Sequence, residues 1–600
     1  MGQPFWQGKD KSMVEKWFVA AKKADFDTWA KELGISPILA RILRNRDLTN
    51  LADLQKFLHG TLEECYSPWL MKDMDKAVSF LLNAMERGVA IRVIGDYDVD
   101  GICSAYILTR GLQILGAHAD TTIPHRIHDG YGLNEHLIEE ARQDGIGMIV
   151  TCDNGIAALP QITLAAEYGI DVIVTDHHEV PFVEENGMKR EILPPALAIV
   201  DPKQEQCGYP YKNICGGVVA YKLMQALLER TGKKELSEAM DELLELAALA
   251  TVCDVMELKD ENRILVKEGL KRMKQSANAG LRALLEVNNI APEKLSAYHL
   301  GFVLGPCLNA TGRLDTARRA LELLQSKSKV EAMSAASELK SLNDSRKNLT
   351  LQGVQEAEEY IVQNGIDKDK VMIVYLPQVH ESLAGIIAGR VREKYNHPVF
   401  VLTKGEEGVK GSGRSIEAYH MYEAMTEVKE YFTKFGGHKL AAGLSMKEED
   451  IEGLRREMNQ KCHLGEADFI PKIHIDVPMP MSYADETLAD ELSLLEPFGV
   501  GNPKPLFAQK DIRFIGGYKM GANKSFARYR VKTEDGHMAQ LVFFGNLEQF
   551  GQFLNEKYGM GSEEALYNGM GDFQVSVTYQ LGLNTYRGKT EVQLIMQNYC

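Results

Sequence analysis

The sequence predicts a multi-domain α/β protein with a doubly wound parallel sheet, a long helical connection, a smaller α/β domain and a C-terminal β-barrel. Three observations lead there. Between residues 91 and 179, short apolar stretches ending in acidic turns alternate with helical stretches. Residues 311–365 are rich in Ala, Leu, Glu and Lys with few breakers, and their apolar positions recur at helical spacing. Beyond residue 466 the pattern changes to alternating strands with Gly-rich turns.

Five parts follow in order. Residues 1–78, with Trp17 and Trp29 in amphipathic stretches, read as a helical lead-in whose aromatics belong in a core. Residues 79–310 form the doubly wound domain. Its first strand, 91–95, runs into Asp96, Tyr97, Asp98, Val99, Asp100 and Gly101, and a helix follows over 102–115. A second strand, 147–151, ends in Cys152, Asp153, Asn154 and Gly155, and a third, 170–175, ends in Asp176, His177, His178 and Glu179. Helices over 134–143 and 156–168 lie between them. Right-handed crossovers bring such strand ends to one edge, so the three acidic turns converge. Asp254 closes a helical run over 243–251; spacing alone does not say whether it reaches that edge.

Carboxylates held this close repel one another unless a cation lies between them. An ordinary solvated turn or a surface His pair would explain one such motif, but not three at successive strand ends. Asp-rich donors with imidazoles suit Mn²⁺ or Mg²⁺ ahead of Zn²⁺. So many donors point to two divalent ions, roughly 3.5–4 Å apart, an arrangement that cleaves phosphate esters.

Residues 311–365 read as one long connecting helix, and 366–465 as the smaller α/β domain opening with a strand over 371–375. In it, Gly411, Ser412, Gly413 and Arg414 read as a loop whose glycines let backbone N–H groups approach an anion. Residues 466–600 read as a barrel with strands in 527–532, 539–544 and 573–579. Tyr518, Lys519, Lys524, Phe526, Arg528, Tyr529 and Arg530 are its candidate contacts for single strands, by stacking beside basic groups.

These motifs together resemble the DHH phosphoesterase superfamily, and within it the bacterial branch of single-strand-specific 5′→3′ DNA exonucleases. The resemblance extends to Ile123 through Arg126, Gly130 through Asn134, Asn309 through Arg313, Leu342 through Arg346, Phe435 through Gly443 and Pro497 through Pro503. It implies a DHH catalytic domain over 79–310, a DHHA1 substrate-binding domain over 366–465 and an OB-fold-type domain over 466–600. It implies Asp96, Asp98, Asp100, Asp153, His177 and Asp254 as metal ligands, with Asp176 and His178 beside them in the catalytic set. Arg126, Asn309, Arg313, Ser412, Arg414 and His438 would hold phosphates. The activity implied is degradation of single-stranded DNA to 5′-mononucleotides in DNA repair and recombination. Partners implied are single-stranded DNA, a single-strand-binding protein and a RecQ-type helicase.

Four positions depart from the family pattern, two of them Val379 and Ser382, which stand where the family has Trp and Gly in a segment that otherwise survives. Members acting on small phosphates carry a His where this chain has Ile94, and Asp96 stands ready to compensate. Cys307 occupies a place where the exonuclease branch has a basic residue, which puts one phosphate contact in question. The alternatives are a phosphodiesterase of short oligonucleotides or cyclic dinucleotides and a non-catalytic DNA-binding scaffold. The stretch after 466 speaks against the first, and the intact acidic set against the second.

Composition is that of an ordinary globular protein, 45% hydrophobic and 25% charged. No apolar run is long enough to span a membrane and the first residues lack a secretory pattern, so a cytoplasmic location with no membrane partner is expected. The nine cysteines are scattered and never form C-x-x-C, which supports neither a disulfide framework nor a zinc site. The net charge of −16 is unusual for a nucleic-acid enzyme. Potential is local over about 8–10 Å, however, so a basic groove remains compatible with it. Candidate groove cations are Arg126, Arg313, Arg318, Arg319, Arg346, Lys347, Arg390, Lys410, Arg414 and Lys439.

Overall fold

The structure, a computed structural model, describes residues 3–4, 15–126, 132–185, 188–405, 408–586 and 588–600. The chain separates into two compact units, residues 62–470 and residues 1–61 with 471–600.

The first of these units opens on a parallel sheet of β1 (Ile91–Ile94), β2 (Ala119–Thr122), β3 (Met148–Cys152), β4 (Asp171–Thr175) and β5 (Ala198–Val200), in the order β2-β1-β3-β4-β5. Its inner strands β1, β3 and β4 are largely apolar because helices cover both faces, whereas the edge strand β2 is Ala-Asp-Thr-Thr. Ile91, Val93 and Val150 enter the core built with α1 (Val99–Ile114), α2 (Gly216–Thr231) and α3 (Lys234–Cys253). Ile94, Ile149, Val172 and Val174 enter the core on the other face, with Ile138 and Ile162. The strand order reverses between β1 and β3, the place where such sheets open a ligand crevice.

Beyond the sheet, a π-helical turn at Leu300–Leu304 leads into α4 (Gly305–Leu314). The expected connecting helix is shorter than 311–365. Asp315 leaves helical geometry at φ −151° and ψ −135°, a short helix occupies Arg318–Gln325, and Ser326 is extended. The long helix, α5, is Lys329–Gln363.

The second sheet contains β6 (Met372–Tyr375), β7 (Val399–Gly405), β8 (Gly408–Arg414), β9 (Phe432–Gly437) and β10 (Ala441–Met446), in the order β6-β7-β8-β10-β9. Only β6 and β7 are parallel. Helix α6 (Ala384–Tyr395) packs closely on α5. A Cβ at Gly353 would come 2.5 Å from Ile387 Cδ1.

In the other unit, β11 (Phe507–Met520), β12 (Phe526–Lys532), β13 (Met538–Phe543), β14 (Phe573–Tyr586) and β15 (Lys589–Tyr599) close into a barrel through β11–β14 pairing. Helices Pro37–Asn45 and Leu51–His59 place Leu39, Ile42, Leu43 and Leu54 in the same core as Phe507, Phe514 and Tyr529. Strand Lys16–Val19 pairs with Lys472–Ile475, and Arg46 Nη1 meets Asp476 Oδ1 at 2.8 Å. The N-terminal helices are amphipathic because one face closes this core. Residues 62–78 belong instead to the larger unit, where Met71, Met74 and Val78 are buried.

Candidate metal centre and anion groove

The C-terminal ends of β1, β3, β4 and β5 lead to Asp96, Asp153, Asp176 and Asp201 along one edge of the sheet. Asp98 caps α1 by accepting the Gly101 N–H at 3.1 Å. Asp100 follows inside the first turn, and its two oxygens accept the amides of Gly216 and Gly217 at the start of α2, each at 2.7 Å. Both glycines are needed there: a Cβ would come 2.8 Å from Asp153 Cβ at position 216 and 2.6 Å from Ala250 Cβ at 217. Helix α3 ends beside them, which brings its capping residue Asp254 to 3.8 Å from His177 Nε2.

Three sets of donor atoms each lie within 4.8 Å of one another: Asp96, Asp98 and Asp153; Asp153, His177 and His178; Asp100, His177 and Asp254. Asp153 and His177 each join two sets, and they meet at 3.0 Å. Asp153 adopts a left-handed backbone, φ 60°, which Asp tolerates better than most residues. Burial and the Asp98 charge push Asp96 up to about 8. Burial, then Asp100 and Asp98, push Asp254 up to about 8. Asp98 and Asp153 are raised for the same two reasons. Burial holds His177 below the ordinary imidazole value, and its enclosed Nδ1 has no hydrogen-bond partner. A neutral imidazole among carboxylates that resist joint ionisation is a donor set fitted to divalent cations.

Asp176 behaves differently. Burial would raise it, but hydrogen bonds outweigh this and keep it low. It accepts the Ile156 amide at 2.9 Å, the His177 amide at 2.8 Å and His178 Nδ1 at 2.7 Å. It therefore orients both histidines and joins none of the three donor sets. Burial opposes the charge on His178, yet the Asp176 bond and the nearby carboxylates raise it to about 9.

A cluster of cationic side chains lies in the same unit. The Arg126 guanidinium sits 4.8 Å from the Tyr97 ring centre. Arg313, on α4, donates to the Ser382 carbonyl at 2.5 Å and so reaches across to the second sheet's domain. Ser412 and Arg414 alternate along β8 and lie under Gly385 near the start of α6. A Cβ at Gly385 would stand 2.9 Å from Arg414 Nη2 and 3.0 Å from Ser412 Oγ. Burial, with Arg126, Arg346 and Arg414 nearby, lowers Arg313 to about 10. Among the described residues, no carboxylate forms an ion pair with Arg313, Arg346 or Arg414. Clustered guanidinium groups without counter-ions favour an anion.

Comparison with known proteins agrees with this geometry. Residues 90–251 match the DHH family N-terminal domain, 368–464 the DHHA1 domain and 475–598 the RecJ OB domain. The single-stranded-DNA-specific exonuclease RecJ of Escherichia coli is 32% identical over 587 residues, covering 94% of this chain and 96% of that one. The RecJ of Bacillus subtilis is 33% identical over 572 residues, 95% of this chain and 68% of the relative. The chain belongs to the RecJ family. The crystal structure of RecJ in complex with Mn²⁺ from Thermus thermophilus superposes with a TM-score of 0.79 at 26% identity, covering 97% of this chain and 79% of that chain.

Against this RecJ-family frame, several expectations change. The Gly411–Arg414 stretch is a central strand, not a loop. Its neighbours β7 and β10 flank it on both sides, so its amides belong to the sheet ladder and do not face an anion. Gly411 and Gly413 are small because Leu402, Leu444, Phe400 and Met421 crowd that face. Cys307 is fully buried between Asn288 and Asn343 and is an electrostatic neighbour of Arg346, so this departure lies beside the arginine cluster. Ile94 is core, and Asp96 supplies a donor from the same strand end. Asn309 lies one turn before Arg313 on α4, and His438 lies on the exposed hairpin between β9 and β10. Gly130 and Tyr131 fall outside the described residues.

Other expected cations are engaged elsewhere. Arg318 pairs with Glu322 at 3.0 Å, Arg319 with Asp315 at 3.0 Å, Lys347 with Asp344 at 3.5 Å and Lys410 with Glu381 at 3.0 Å. On the barrel, Tyr518 faces Arg528 across β11 and β12 and is 47% exposed, while Lys524 lies in the turn joining those strands. Tyr529 is no strand contact: it is fully buried and bonded to Tyr567 at 3.0 Å. Sequence reading missed Asp201, which is buried with one carboxylate oxygen unpartnered and is pushed up to about 7 by burial and Asp176. The signal was available, since 198–200 is an apolar strand ending in an acid. No helix among the described residues is long and apolar enough to cross a membrane.

Proposed function

We propose that this chain is a metal-dependent 5′→3′ exonuclease that hydrolyses single-stranded DNA to 5′-mononucleotides in DNA repair and recombination. The observation that carries this reading is the acidic edge, where Asp153 and His177 are shared between donor sets, in one unit with an uncompensated arginine cluster.

Asp96, Asp98 and Asp153 would hold one divalent ion and Asp100, His177 and Asp254 a second, Mn²⁺ or Mg²⁺ by analogy with the Thermus complexes. When bound, the ions would supply an activated water and neutralise charge developing on the phosphodiester. The chain's own groups do the rest. The Gly216 and Gly217 amides fix Asp100, and Asp176 fixes both histidines. His178, held through Nδ1 by Asp176, stands beside the acids, where its ring can meet a phosphate oxygen. Arg126, Asn309, Arg313, Ser412, Arg414 and His438 would grip the strand's terminal phosphate and the sugar-phosphate chain behind it. On the barrel, Tyr518, Lys524 and Arg528 would bind single strands by stacking and charge. A single-strand-binding protein and a RecQ-type helicase are the proposed partners, and the cytoplasm the proposed location.

The test is degradation of 5′-labelled against 3′-labelled single strands with Mn²⁺, Mg²⁺ or EDTA, beside a duplex control. Immediate release of the 5′ label as mononucleotide, only with metal and only from single strands, is expected. Cleavage of dinucleotides with long strands left intact would overturn the reading.

A further inference from the structure

The arginine cluster extends beyond what one phosphate needs. Arg346 projects from the long helix α5, where its cationic neighbours are already satisfied: Lys340 pairs with Asp344 at 2.6 Å and Lys347 with the same residue at 3.5 Å. Arg346 has no such partner among the described residues. Its Nε is enclosed without a hydrogen-bond partner, although the side chain as a whole is half-buried. Its electrostatic neighbours are the buried Cys307 thiol and two further guanidinium groups, Arg313 on α4 and Arg390 on α6. Arg390 has only the exposed Glu393 on its own helix, at 3.2 Å. The helices that carry Arg313 and Arg390 both pack on α5, which carries Arg346. Enclosing part of a guanidinium without a counter-ion is costly unless an anion completes the site.

We propose that Arg346 and Arg390 form a second phosphate subsite beside the grip made by Arg313, Ser412 and Arg414. The inference rests on the nuclease reading and deepens it. The ligand is a second phosphoryl group of the molecule whose first phosphate occupies that grip. It is either the next phosphodiester of the strand or the extra phosphate of a 5′-triphosphorylated end.

Arg346→Ala removes no side-chain hydrogen bond within the described residues, so the variant should fold. Affinity for short 3′-labelled single strands, 5′-monophosphorylated or 5′-triphosphorylated, would be measured by anisotropy in EDTA across a salt series. With the monophosphorylated strand, Arg346→Ala is expected to weaken binding about ten-fold and to lower the slope of log affinity against log salt by about 0.7, the loss of one phosphate contact. Arg346→Lys should keep the slope. If the subsite takes an end phosphate instead, the wild type will prefer the triphosphorylated strand and Arg346→Ala will erase that preference. A wild type that binds both strands, with an Arg346→Ala variant of unchanged affinity and slope, overturns the proposal. A wild type that binds neither strand rejects the nuclease reading. Thermal shift with inorganic pyrophosphate then decides the subsite, which stands if stabilisation depends on Arg346 and falls if it does not.

Discussion

Replacing Asp153 by Asn should make the metal-free protein more stable while disabling it. The substitution is nearly isosteric, and Asn also accepts the left-handed backbone at this position, so the fold should survive. One negative charge disappears from a set in which Asp96 and Asp98 lie within 4.8 Å. At an effective dielectric of 20, that distance corresponds to about 3.5 kcal/mol of repulsion for each neighbour. The carboxyls take up protons before bearing all of it, so a gain of about 2 kcal/mol is the working figure. At roughly 2–4 °C for each kcal/mol in a domain of this size, the melting temperature in EDTA should rise by several degrees.

The effect depends on pH. Asp96 and Asp254 titrate near 8 in the folded chain, against about 4 when unfolded. The unfolded chain therefore sheds protons that the folded one retains, and metal-free stability falls as pH rises from about 4 to about 8. Burial and the neighbouring carboxylates also raise Asp153, so the advantage of Asp153→Asn should be small near pH 4 and grow as pH rises and that carboxyl takes on charge. Added Mn²⁺ should raise the melting temperature of the wild type strongly and of the variant weakly. Strand cleavage should drop at least about 100-fold, since even partners behind a metal ligand commonly cost that much. Thermal shift in EDTA and in Mn²⁺ across this pH range checks all of it. A variant with the wild-type melting temperature in EDTA and the wild-type response to Mn²⁺ would refute the reasoning.

Arg313→Met should change thermal stability little, because removing an enclosed cation with three like neighbours offsets the lost bond to the Ser382 carbonyl. Its rate preference for 5′-phosphorylated over 5′-hydroxyl strands should fall by about ten-fold or more, the value of a charged hydrogen bond, and a retained preference would remove Arg313 from the grip. Lys222 and Glu261 form a wholly buried pair at 3.1 Å. Lys222→Met should cost about 3–5 kcal/mol in denaturant unfolding, with recovery in the Lys222→Met, Glu261→Gln double variant; a single variant of near wild-type stability would contradict this. Tyr518→Ala should weaken single-strand binding by about 1–3 kcal/mol, read by anisotropy, without lowering the melting temperature. Unchanged affinity would take Tyr518 out of the contact surface.

Much of the fold was legible because its signals are local. The runs ending at Asp96, Asp153 and Asp176 are apolar on both faces, which marks buried parallel strands, and the acids stand at their ends. Asp201 shows the limit of attention: it obeys the same rule and went unread. The Gly411–Arg414 error has a different cause. Glycines permit close approach of backbone to anything, and only the packing against Leu402 and Phe400 says that the neighbour is a core side chain instead of an anion.

The sequence by itself determined the residue types, their order and the strand-end placement of the acids, because alternation of apolar runs with helices leaves few topologies for a parallel sheet. Tertiary structure decided which of those acids share a cation site. Asp254 reaches His177 only because α3 packs beside α2, and Asp100 is fixed by two amides that lie 116 and 117 residues away along the chain. It also decided which arginines stay unpaired. Arg318 and Arg319 look like Arg313 in sequence, but carboxylates one helical turn away neutralise them, whereas Arg313 is carried to a backbone carbonyl and other cations, with no carboxylate paired to it among the described residues. Charge type is written in the chain; charge compensation is a property of distances that folding alone creates.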